Sequence, residues 1–129
     1  MQLAYTILYV DDVRRSVAFY EEAFGLAPGF VHEGGDYGEM ATGSTALAFS
    51  SRALMRQLGK HPQQARADAP CFEVAFTTVD VPLALERAVA AGAKLVQSSQ
   101  QMPWGQTVAY VSDLDGFLVE ICTPVVAPP

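Results

Sequence analysis

The chain is written twice. "YTILYVDDVRRSVAFYEEAFGL", from Tyr5, and "EVAFTTVDVPLALERAVAAGA", from Glu73, run in step. Each opens with a short β-rich run, reaches an aspartate, continues into a helical pattern and stops at a glycine. Asp12 and Asp80 lie 68 positions apart, and so do Tyr5 and Glu73. A repeat of this kind means one supersecondary unit built twice, which narrows the fold before any single residue is interpreted.

The local chemistry supports both copies. Asp12 and Asp80 stand where a helix leaves its first N–H groups without partners, and an aspartate oxygen accepts from them. Pro82 suits a first helical turn. Val13, Val17, Phe19, Tyr20 and Phe24 recur near the helical period and predict one apolar face; Leu83, Leu85, Ala88 and Val89 predict another. Gly25 and Gly92 fit helix C-termini, where a left-handed backbone costs glycine little.

Strand-like segments follow each helix. They are "APGFVHE", "YGEMAT" and "TALAFSS" in the first half, and "KLVQSS", "QTVAYVS" and "FLVEICT" in the second. Gly34-Gly35, Gly43-Ser44, Pro103 to Gly105 and Asp115-Gly116 supply the turns. Each half therefore reads β-α-β-β-β, giving eight strands. A short helix in "SRALMRQLGK" and a polar linker, "HPQQARADAP", join the halves. The expected organisation is one domain over 1–129, with modules at 1–51 and 70–124 and the helix and linker at 52–69. The fold class is α+β: two β-α-β-β-β modules forming a curved eight-stranded mixed sheet. One helix per module covers one face, so the other is expected to curl around a cavity.

Composition excludes some functions. The 129 residues are half hydrophobic, enough for one sizeable core. The net charge of −6, from 14 acidic against 8 basic residues, argues against phosphate-tracking nucleic-acid binding and against an anionic membrane surface. No apolar run approaches a bilayer span. The start has no basic region before an apolar one, so it does not read as a signal peptide, and the expected location is cytoplasmic. Cys71 and Cys122 form no CxxC and no zinc spacing; buried free thiols are expected, with a disulfide as the alternative. The tail "TPVVAPP" reads as a frayed terminus.

Strands alternate faces with period two. On that basis Phe72, Val74 and Phe76, with Phe117, Val119 and Ile121, should meet the second helix. Leu8, Val10, Leu47 and Phe49 should meet the first. The opposite faces then carry Tyr5, Ile7 and Tyr9, Ala46 and Ala48, Glu73, and Glu120. Glu120 lies in an otherwise apolar strand and is expected to point into the hollow with Glu73.

At "ILYVDDVRRSVAFYEEAFGL" and "PWGQTVAYVSDLDGFLVEICTP" the chain resembles the vicinal oxygen chelate superfamily of glyoxalase I, extradiol dioxygenases, fosfomycin-resistance proteins and bleomycin-binding proteins. The resemblance covers essentially the whole chain. Leu114 departs from it, since the family's turn usually has proline there. In glyoxalase I-like members four positions hold a metal, and the resemblance places them on Tyr5, Ala48, Glu73 and Glu120. Glu120 alone keeps the usual residue type. Tyr5 and Glu73 stand where histidine is common, and Ala48 where glutamate is.

No tightly held metal is therefore expected. If a divalent ion binds, Glu73 and Glu120 are its ligands, with water completing the shell. The same pair are the candidate catalytic residues. A proton-sharing acid-base pair and a solvated remnant of an older metal site are both open readings. The expected ligand pocket comprises Tyr5, Ile7, Tyr9, Ala48, Glu73, Trp104 and Glu120, with Trp104 on a loop at its mouth. The leading function is small-molecule binding; the alternative is a metal-dependent lyase, isomerase or dioxygenase. Catalysis is left open. A homodimer is expected, from uncovered sheet edges and from the resemblance. Arg14 and Arg15 read as solvated, as do Arg52 and Arg56, whose alternative is an anion-attracting patch. His61 reads as exposed, and His32 as a strand residue near a rim.

Overall fold

Eight strands and three helices make up the computed structural model, which describes residues 1–126. The element order in the first half is β1 (Tyr5–Val10), α1 (Val13–Phe24), β2 (Ala27–Val31), β3 (Tyr37–Ala41), β4 (Ala46–Ser51) and α2 (Arg52–Gln57). The second half holds β5 (Glu73–Thr77), α3 (Val81–Ala90), β6 (Lys94–Gln101), β7 (Thr107–Ser112) and β8 (Leu118–Cys122). The strands divide into two four-stranded mixed sheets, ordered β1-β4-β3-β2 and β5-β8-β7-β6. The two compact units are Met1–Gln64 and Ala65–Pro129. Of the tail 123–129, residues 127–129 lie outside the described residues.

Each sheet is closed by the same device. The first strand of a unit pairs in parallel with the last, β1 with β4 and β5 with β8, while the other pairings are antiparallel. A parallel pair cannot be joined by a tight hairpin, and the helix supplies much of the crossover. Asp12 caps α1 by accepting from the Arg15 N–H at 3.1 Å, and Asp80 caps α3 by accepting from the Leu83 N–H at 3.1 Å. Gly25 ends α1 at φ 69°, a left-handed conformation that spares the chain a Cβ clash.

In the first unit α1 packs on the face made by Leu8, Val10, Met40, Leu47 and Phe49, all buried. The Tyr20 and Phe49 rings meet at 5.0 Å. Gly38 lets α1 approach β3: a Cβ there would come within 3.1 Å of both the Val13 side chain and the Phe30 carbonyl. In the second unit α3 lies against Ala109, Val111, Val119 and Ile121.

Several expectations are corrected. The buried stripe of α3 is Val81 and Ala88, with Ala84 and Leu85 half-buried; Leu83 and Val89 are exposed. The stripe is shifted because α3 starts at Val81, which already faces the sheet. Phe72 lies ahead of β5, is exposed, and meets the edge of the Phe117 ring at 6.0 Å. Arg52 is not solvated: it is buried at the start of α2, 3.8 Å from the Asp11 carboxylate and 3.4 Å from the Tyr9 carbonyl. Arg14 stays exposed, yet its guanidinium donates to the Glu33 carbonyl at 2.7 Å and so ties the β2–β3 turn to α1. Both cysteines are free, but only Cys122 is buried; Cys71 is exposed. No helix among the described residues is long and apolar enough to cross a membrane.

Candidate functional site

Period two puts a polar cluster on the face of the second sheet that is turned away from α3. Glu120 lies in β8 between Ala75 of β5 and Tyr110 of β7. Val119 and Ile121, its neighbours in sequence, are buried under α3, so Glu120 projects from the other side. The Tyr110 hydroxyl donates to Glu120 Oε1 at 3.2 Å. Glu73 stands diagonal to Glu120 at the start of β5, on the same face and near enough for the charge of Glu120 to act on it. Cys122 follows two residues on, with Sγ 3.7 Å from the Phe76 carbonyl oxygen.

The electrostatics follow from this crowding. Glu73 is exposed, yet lost hydration around its carboxyl first, then the charge of Glu120, push it above the ordinary carboxylate range. Two carboxyl groups this close resist ionising together, which favours one proton between them. Burial and the charges of Glu120 and Glu73 push the Tyr110 phenol up to about 12, so its hydroxyl stays a donor at neutral pH. The same causes, burial again foremost, push the Cys122 thiol up and keep it protonated.

The first unit presents a different surface. Tyr5, Ile7 and Tyr9 stand on the face of the first sheet away from α1, and Ala48 sits between Ile7 and Glu39. Ala48 is fully buried beneath these larger neighbours. Tyr37 and Glu39, two residues apart on β3, share that face, and the Tyr37 hydroxyl donates to Glu39 Oε2 at 2.7 Å. Burial, the Glu39 contact and the nearby Tyr5 phenol all push the Tyr37 phenol upward. Tyr9 accepts from Lys60 Nζ at 3.1 Å. Trp104 lies exposed in the β6–β7 turn, and its ring N–H donates to Gln106 Oε1 at 2.7 Å. Gln106 in turn donates to the Thr123 carbonyl at 2.8 Å.

The structure thus brings Glu73 and Glu120 together in the second unit, and Tyr5, Ile7, Tyr9 and Ala48 onto one face of the first. Tyr110, Tyr37 and Glu39 were missed by the sequence reading. The signal was present for Tyr37 and Glu39, since "YGEMA" alternates polar and apolar residues; "TVAYV" does not, and Tyr110 is placed by its register opposite Glu120.

The residues do not fit a resident metal. Among the described residues no three His, Cys, Asp or Glu side chains are grouped to hold one. The second unit offers two carboxyl groups on one sheet face, beside a tyrosine and a thiol that both keep their protons. A catalytic divalent site typically takes three protein ligands with an open position. Ala48 supplies no donor at all.

The family model described as Glyoxalase/Bleomycin resistance protein/Dioxygenase superfamily matches residues 2–121. The chain is 27% identical over 124 residues to the Bacillus subtilis (strain 168) protein YraH, covering 94% of this chain and 97% of that one. It is similar to the crystal structure of a glyoxalase-related enzyme from Fulvimarina pelagi, with 28% identity and a TM-score of 0.84 over 99% of this chain and 91% of that one. A Burkholderia phytofirmans PsJN structure of the glyoxalase/bleomycin resistance protein/dioxygenase family superposes with a TM-score of 0.83 over 98% and 100% of the two chains. At 18% identity that likeness speaks for the fold alone.

Proposed function

The chain belongs to the Glyoxalase/Bleomycin resistance protein/Dioxygenase superfamily, and from that premise we propose that it binds a small molecule without a tightly held metal. The observation that carries this reading is the placement of Glu73 and Glu120 on one sheet face, with the Tyr110 hydroxyl on Glu120 and no group of three metal donors among the described residues. Such a pair offers carboxylate oxygens that accept, one shared proton and a tyrosine hydroxyl. It suits a ligand that presents N–H donors or a positive charge, because a cation relieves the repulsion between the two carboxyl groups. Ala48 removes a ligand position that the family often fills. The same proposal takes the protein to be cytoplasmic and a homodimer.

The test separates binding from metal chemistry. Protein purified without chelator is assayed for metal content, then heated with Zn²⁺, Ni²⁺, Mn²⁺, Mg²⁺ or Fe²⁺ in turn. The expected outcome is no stoichiometric metal and no rise in melting temperature with any ion. One ion per chain, or a clear stabilisation by one ion that Glu120→Gln abolishes, overturns the proposal and makes Glu73 and Glu120 the ligands of a metal-dependent lyase, isomerase or dioxygenase.

A further inference from the structure

We draw no further inference here: the strongest candidate, the apolar surface patch of the second unit made by Leu83 and Val89 on α3 with Leu95 and Val96 on the edge strand β6, is exposed in every member, and nothing in the structure shows what covers it.

Discussion

The Glu73–Glu120 pair shows how one side chain's protonation becomes a property of the whole protein. Glu73 has a higher proton affinity folded than unfolded, because lost hydration and Glu120 oppose its charge. The folded state then binds more protons than the unfolded one, between the ordinary carboxylate pKa and the raised folded value. Stability must fall as pH rises through that window. Glu73→Gln removes the titrating group, so the variant is expected to show a flatter dependence of melting temperature on pH just above the carboxylate range. A variant curve as steep as the parent's would mean that the proton is held elsewhere. Tyr110→Phe tests the neighbouring contact: it strips one donor from Glu120 and is expected to alter ligand affinity while costing about 1 kcal/mol of stability or less.

At the scale of elements, caps and turns explain why the repeat folds the same way twice. Asp12 and Asp80 each satisfy an N–H at a helix start, so Asp12→Ala is expected to lower stability by about 1 kcal/mol in chemical denaturation. The β7–β8 turn is less forgiving. Asp113 Oδ1 accepts from the Asp115 and Phe117 N–H groups, at 2.9 and 2.8 Å. Gly116 follows at φ 94°, with the Ala65 carbonyl packed where a Cβ would stand. Gly116→Ala is expected to cost about 1–3 kcal/mol from backbone conformation alone, and more from the displaced carbonyl. A denaturation midpoint equal to the parent's would show that the 65–66 segment yields freely. Leu114, the position where family members often carry proline, instead lies 3.7 Å from where a Gly92 Cβ would sit, a contact beside the end of α3.

For the whole molecule, the exposed edges matter most. β6 is an eight-residue edge strand with Leu95 and Val96 exposed, and edges of this kind invite pairing with another chain. Light scattering after size exclusion is expected to give twice the 13.9 kDa chain mass; a mass of one chain would remove the homodimer from the proposed function. The sequence by itself determined the two β-α-β-β-β units, their caps and the faces of the strands it tested, since these depend on local hydrogen bonding and on period-two and helical spacing. Glu73 and Glu120 were legible for the same reason: a carboxylate between apolar strand residues must leave on the opposite face. What only the tertiary structure decided was which residues meet across strands. The Tyr110–Glu120 and Phe30–Glu39 pairings depend on register, and the Phe30 pairing also on a bulge in β2. The burial of Arg52 and the exposure of Leu83 depend on which surfaces pack together. Register and packing are set by contacts between residues far apart in the chain, and no spacing within a single strand or helix records them.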